Sequence, residues 1–452
     1  MKQTKPISAK TSLFLLTYPI FIELLLQMLV GNVDQFMISR YSDNAVAAIG
    51  NVNQIINLVF IMFSVLATAT TILVSQYLGA GEHGKLSELY TVAVSVNLAF
   101  GLIIGIVLTF LARPLFTLMQ TPPELIEDAV TYLSIVGSGI FLIAVFSTFG
   151  AIFRANGLVT QTMLVSLSVN VLNIIGNSLL LYGWWGLPRL GVVGVAISSV
   201  ASRTIGVILL MLLFRRFVPG SISLKHLRPF PVKTLKRLLR IGLPSGGESL
   251  SYSMAQTMML GMANTIGATT VSTRVYALML SWFSFIYAGA VSQGTQVIVG
   301  HMIGAGQEDD ADRRVRKSLI PAVMVTILMS TTLWLSSKTM FSIFTDNPEI
   351  IALGQKIMLV EIFLEIGRTI NLIVIRALQA SGDVRFPVYV GMVSMWGVAV
   401  GLGYLLGIHF GLGLVGIWIG LTVDELLRAV IMLVRWHKGY WRGRSLVKEA
   451  AT

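Results

Sequence analysis

The chain has 452 residues, of which 55% are hydrophobic and only 12% charged, and it contains no cysteine. Ordinary soluble proteins carry about 25% charged residues, so a water-soluble globule is excluded, and with it any disulfide framework, thiolate metal site or cysteine nucleophile. A net charge of +12 would suggest nucleic acid in a soluble chain; here the cations flank apolar runs and report membrane orientation, so no nucleic-acid partner is expected.

In chain order, the apolar runs predict about twelve spanning helices, near 13–38, 45–74, 88–111, 126–152, 158–182, 190–214, 241–264, 270–300, 318–339, 350–378, 386–408 and 412–435. Each is about 20 residues or longer, the length a bilayer demands. None shows the alternation of a barrel strand, and in lipid only a helix or a closed barrel satisfies its backbone hydrogen bonds. The expected fold is an all-α polytopic membrane protein with about twelve transmembrane helices in two pseudo-symmetric six-helix lobes.

The first run lacks a small-residue cleavage site and reads as a retained spanning helix. It carries Pro19, Glu23, Gln27, Asn32 and Asp34. Asp34 has no basic residue at helical spacing, and an intramembrane carboxylate marks a functional position by default. Pro19 precedes it by about 22 Å at 1.5 Å per residue, and a proline there frees a carbonyl and lets the helix bend. A titratable group and a hinge on one helix describe a gate. The fifth helix carries Asn170, Asn173 and Asn177, which suit either ion coordination or interhelical bonding. Farther along, Glu248, Gln256, Glu361, Glu365, Asp424 and Glu425 lie inside apolar runs; Glu365 is three residues before Arg368, and Asp424 four before Arg428, so these can pair locally.

The second half repeats the first. Pro19 and Glu23 recur as Pro244 and Glu248, Gly79-Ala80-Gly81 as Gly304-Ala305-Gly306, Phe116 as Phe341, and Gly157 as Gly382, all at a spacing of 225. Near the end the spacing slips to 222, where Gly191–Gly194 matches Gly413–Gly416. Two apolar halves of this kind form a duplicated unit of the sort secondary transporters use. The symmetric placement of Glu23 and Glu248 suggests that both line a seam between the halves, although duplication alone accounts for it equally well.

Between the halves, residues 215–240 hold eight basic residues and no acid, and both ends of the chain are basic. Positive-inside asymmetry puts both termini and this linker in the cytoplasm, and six helices on each side of it give the halves one orientation. Single charges such as Arg40, Arg113, Arg189 and Arg274 are assigned to the opposite loops. The expected organisation is an N-terminal lobe at 1–214, a basic cytoplasmic linker at 215–240, a C-terminal lobe at 241–435 and a basic tail at 436–452. The stretch around Lys233–Arg240 reads as a short interfacial helix.

Enzyme signals fail. Gly79–Lys85 opens like a phosphate-cradling loop, but Leu86 stands where the magnesium-binding hydroxyl belongs. Asp309, Asp310 and Asp312 are followed by Arg313 and Arg314 and read as a solvated mixed-charge loop. The five histidines show no metal-pair spacing. No cofactor and no metal beyond a coupling sodium ion are expected, and an ion gradient is the natural driving force.

Several ordered motifs carry a family resemblance. Pro19 with Asn32-Val33-Asp34 and Ala45–Gly50, the loops Gln76–Gly81 and His301–Gly306, Phe153–Gly157, Ile375-Arg376-Ala377 through Gly382-Asp383, and Gly416-Ile417-Trp418 with Asp424 and Arg428 follow one another along nearly the whole chain. In this the chain resembles the multidrug and toxic compound extrusion (MATE) family. The resemblance implies two six-helix lobes around a cleft, alternating access, and export of organic cations, drugs or other amphipathic compounds against protons or sodium. Position by position, it implies ion coupling at Asp34, Asn173, Asn177, Glu248 and Glu365. Asn177 stands where some members carry a second aspartate. Glu23, Gln27, Asn32 and Gln256 are assigned to the substrate cleft, and Pro19 and Pro244 to hinges. A monomer in the cytoplasmic (inner) membrane is expected. The rival readings are a flippase for a lipid-linked sugar, which would need a cationic cleft from Arg203, Arg368 and Arg428, and a membrane-embedded enzyme.

Overall fold

The computed structural model describes residues 7, 11–39, 42–183, 186 and 188–447, with backbone alone at 30–32 and 43. Backbone groups that lipid cannot satisfy must bond within their own segment, and among the described residues no strand occurs. In chain order the helices are α1 (Leu13–Ser39), α2 (Asp43–Gly79), α3 (His83–Phe110), α4 (Ala112–Leu118), α5 (Pro123–Ser138), α6 (Ile140–Ala155), α7 (Val159–Tyr182) and α8 (Val192–Phe217). There follow α9 (Val232–Ile266), α10 (Ala268–Gly304), α11 (Glu308–Leu335), α12 (Ser337–Phe344), α13 (Pro348–Ser381), α14 (Arg385–Ser394), α15 (Gly401–Tyr404) and α16 (Gly413–His437). One π-helical stretch, Met395–Val400, joins α14 to α15 and a second, Leu405–His409, continues α15, so that all four form one span, Arg385–His409.

Eight spans are long and apolar enough to cross a bilayer, and the pair α5–α6, bent by 48°, makes a ninth. Three more, α9, α13 and α16, have 35, 34 and 25 residues but are too polar by composition. They complete a twelve-helix membrane protein, six spans before residue 232 and six from there on. The residues that lower their hydropathy include Glu248 on α9, Glu361, Glu365 and Arg368 on α13, and Asp424, Glu425 and Arg428 on α16.

The chain divides into two compact units: Ile22–Gly246, and Ile7–Phe21 with Gly247–Thr452. The division cuts α1 after Phe21 and α9 after Gly246, at the same spacing of 225 as the sequence repeat and two residues past each proline. Neither proline breaks its helix. In the first unit Phe116 on the short α4 is fully buried in a cluster with Phe63, Ile49 and Ile140. In the second, Phe341 on the short α12 is fully buried with Ile357, Ile417 and Trp418. The α2–α3 and α10–α11 turns repeat as well: Gly81 and Gly306 take φ of +72° and +75°, conformations that glycine adopts without a Cβ penalty.

Three expectations from sequence are corrected. Lys233–Arg240 is not a separate interfacial helix but the first turns of α9, which begins directly after Pro231, a residue suited to a helix start. Arg274 is not a loop charge; it lies in the second turn of α10 and is only 7% exposed. Asp309 and Asp312 do not form a loop: they open α11, where Asp309 pairs with Arg442 at 2.8 Å and Asp312 accepts from Trp436 Nε1 at 2.8 Å. The basic C-terminal segment is thereby strapped to the end of its own unit, with Asp383 pairing with both Arg435 (2.8 Å) and Arg444 (2.9 Å).

Candidate functional site

In the first unit, helical spacing puts Asn173 and Asn177 on one face of α7, and α7 presents that face to α1 and α8. Asn177 Nδ2 donates to Asp34 Oδ1 at 2.5 Å and approaches Asn173 Oδ1 at 3.5 Å. Asn173 Nδ2 donates to Ser199 Oγ at 3.1 Å, and Ser198 Oγ donates to the Asn173 carbonyl at 3.0 Å. Tyr132 of α5 shares a hydrogen bond with Ser199, and Arg203 of α8 exerts its field on both Tyr132 and Asp34. Among the described residues no ion pair reaches Asp34. Asn177 is fully buried, and its Oδ1 has no partner among the described residues.

This is a carboxylate held by a neutral amide and balanced by a cation only at a distance. In a low-dielectric setting its ionised form is costly, so an arriving proton or cation changes the local energy by a large amount. The amide of Asn177 can rotate to offer its oxygen to a cation or its nitrogen to a carboxylate. Glu23, on the same helix, is different: it is 3% exposed and paired with Arg154 at 3.1 Å, although its Oε2 has no partner among the described residues.

The second unit concentrates charge. Fully buried Glu365 pairs with Arg368 one turn later and accepts from Ser284 Oγ of α10 at 2.8 Å. Glu361, a turn earlier, lies 3.5 Å from Arg368 and accepts from Trp418 Nε1 of α16 at 2.5 Å. On α16, Arg428 holds both Asp424 (2.6 Å) and Glu425 (2.8 Å). Asp424 also accepts from Ser394 Oγ at 2.5 Å and Glu425 from Asn371 Nδ2 at 2.9 Å. Ser394 reaches Asp424 because its span lies tight against α16: a Cβ on Gly416 would stand 2.5 Å from the Leu406 carbonyl carbon. Glu248 makes no ion pair among the described residues; Arg428 and Arg376 attract it and Glu425 repels it.

The structure thus gathers Asp34, Asn173 and Asn177 at one place. It puts Glu248 with the Arg428 group, while Glu365 belongs to the Arg368 group. Gln256 is half-buried on α9, where it donates to Tyr252 Oη at 3.0 Å and accepts from Arg274 at 2.9 Å. Gln27 is exposed, Pro19 is buried and Pro244 half-buried. The side chain of Asn32 falls outside the described residues. Sequence reasoning missed Arg154 as the partner of Glu23, Ser284 as a partner of Glu365, and Tyr132 and Ser199 beside Asn173, and read Arg203 only as a candidate phosphate ligand; these residues come together across helices far apart in the chain. Among the described residues no cluster of three metal-ligating side chains occurs, and Lys85 of the loop resembling a phosphate cradle pairs with Glu82 at 2.9 Å.

Comparison with known proteins bears on these arrangements. The MatE family model matches two stretches, residues 19–179 and 244–405, which begin at the two prolines. The uncharacterized transporter YisQ of Bacillus subtilis is 41% identical over 437 residues, covering 97% of this chain and 96% of its own. The probable multidrug resistance protein NorM of Thermotoga maritima is 26% identical, covering 97% and 94%. A crystal structure described as MATE in the bent conformation superposes with a TM-score of 0.89 at 21% identity, covering 98% of both chains.

Proposed function

Because the chain belongs to the MatE family of membrane transporters, we propose that it is a secondary antiporter that exports amphipathic compounds, organic cations among them, while protons or sodium ions enter. It is a transport protein rather than an enzyme. The observation that carries the reading is the Asp34 site: a carboxylate hydrogen-bonded by Asn177 and free of any direct ion pair among the described residues. An entering proton or sodium ion neutralises Asp34, the Asn177 amide reorients, and the hydrogen bonding that ties α1 to α7 changes. Pro19, lower on α1, lets the helix answer by bending, and Pro244 plays the same part on α9. The bent conformation named for a solved relative supports such a hinge.

The location that fits is the cytoplasmic membrane, with both termini and the basic linker inside. There, one charge moving through 100 mV supplies about 2.3 kcal/mol before any concentration gradient. Asn173 sets the orientation of Asn177, and Glu248 and Glu365 supply the charge of the second unit. The name of the NorM relative supports a multidrug substrate range. The flippase reading loses support because Arg368 and Arg428, two of the three cations it would need, are already matched by carboxylates.

Ethidium efflux from energised vesicles, with proton and sodium gradients collapsed separately, tests the proposal. Efflux should stop when one of the two gradients is removed. Efflux indifferent to both gradients, or no movement of any compound in a panel of organic cations, would contradict it.

A further inference from the structure

Arg274 is the buried cation that neither charge group of the second unit uses. It lies on α10 with 7% exposure. Its Nη2 donates to Gln256 Oε1 at 2.9 Å and to the Gln256 carbonyl at 3.3 Å. Among the described residues Nε and Nη1 have no acceptor, and no carboxylate pairs with Arg274. Arg368 and Arg428, by contrast, are each held by two carboxylates. Desolvating a guanidinium without a counter-charge costs several kcal/mol, and a neutral amide offsets only part of that.

The surroundings suit an anionic visitor with an apolar body. Gln256 donates its own N–H to the Tyr252 hydroxyl, which leaves the phenol O–H unspent beside Arg274. Tyr252 and Tyr276 pack against an apolar cluster that includes Ala255, Met259 and Ala277, the neighbours of Gln256 and Arg274 on their helices. The Nε and Nη1 donors that Gln256 leaves unspent can give a carboxylate charge-assisted hydrogen bonds. The feature is not inherited from the duplication: at a spacing of 225, Ile49 and Gly31 occupy the places of Arg274 and Gln256.

We propose that Arg274, with Gln256 and Tyr252, is an oxyanion subsite that takes the carboxylate of a zwitterionic or carboxylated amphipathic substrate. This deepens the exporter reading and rests on it for the identity of the ligand as a transported compound. The chain is then selective for amphiphiles that carry an acid as well as a cation.

Rhodamine 110 and its methyl ester, rhodamine 123, differ only in whether the carboxylate is free, and their binding to the purified protein can be followed by fluorescence anisotropy. The native protein should favour the acid. Arg274→Gln should weaken the acid by about tenfold or more, the value of a charge-assisted hydrogen bond, and leave the ester within about twofold, which also shows that the variant is folded. Arg274→Lys should recover part of the loss, since it keeps the charge and loses the fork. Equal weakening of acid and ester, or no change for the acid, would overturn the subsite and leave the exporter reading standing. Failure of the native protein to bind either dye would overturn both. In phosphatidylcholine vesicles the preference for the acid should survive added phosphatidylglycerol; its loss would assign Arg274 to a lipid phosphate and overturn the substrate assignment.

Discussion

Phe116 and Phe341 are both fully buried, and Gly81 and Gly306 turn the chain with φ of +72° and +75°, yet Glu23 and Glu248, repeated at the same spacing, keep different company. Glu23 pairs with Arg154 at 3.1 Å. Glu248 makes no ion pair among the described residues, although Arg428 and Arg376 attract it. Asp34 is likewise unmatched: 225 residues on, the chain has Met259. Duplication has preserved packing and turn geometry in the two units while their charges diverged. Inside its spans the first unit keeps Asp34 without a direct cation partner among the described residues; the second locks Glu361, Glu365, Asp424 and Glu425 to Arg368 and Arg428. A loosely held charge can respond to an ion, whereas a saturated network resists change and specifies packing. We therefore assign coupling to the first unit and rigidity, together with the proposed Arg274 subsite, to the second.

The contrast can be broken or sharpened by substitution. The largest stability effect is expected from Arg428→Gln, which strands Asp424 and Glu425; losing one member of a buried ionic group costs about 3–5 kcal/mol. Equilibrium unfolding in detergent would measure it, and a loss under 1 kcal/mol would show that the network is not the rigid element. Gly81→Ala and Gly306→Ala come next. Neither added methyl would meet another atom within 4 Å, so the cost is conformational, about 1–2 kcal/mol for each left-handed residue. The two should match within error, and a clear difference would show that the turns are not equivalent. The smallest effect belongs to Lys85→Gln. Its pair with Glu82 is 44% and 41% exposed, and surface pairs contribute about 0–1 kcal/mol. Stability and transport should stay close to native; loss of transport would revive a phosphate-binding role for that loop.

What was legible in the sequence is what local rules govern. The repeat spacing survives as matched turns, matched buried phenylalanines and matched unit boundaries. The pairs Glu365–Arg368 and Asp424–Arg428 follow from helical spacing alone. Contacts between distant helices were not legible: Asn177 meets Asp34 across 143 positions, Arg154 meets Glu23 across 131, and Trp418 meets Glu361 across 57. No periodicity in one chain specifies such meetings; helix packing does. Hydropathy also mislocated charge wherever a helix extends past its apolar stretch, as at Lys233–Arg240, and where a cation is buried close to a helix end, as at Arg274.

If Asp34, and not the second unit, carries the coupling, substitution at Asp34 alone should uncouple transport. Ethidium movement in proteoliposomes under an imposed gradient of the coupling ion tests it directly, with native protein, Asp34→Asn and Glu365→Gln side by side. Asp34→Asn should still bind ethidium but no longer accumulate it against a gradient. Glu365→Gln, in which Glu361 remains to partner Arg368, should still be driven by the gradient. Normal gradient-driven movement in Asp34→Asn, with loss in Glu365→Gln, would rule out Asp34 and move coupling to the second unit.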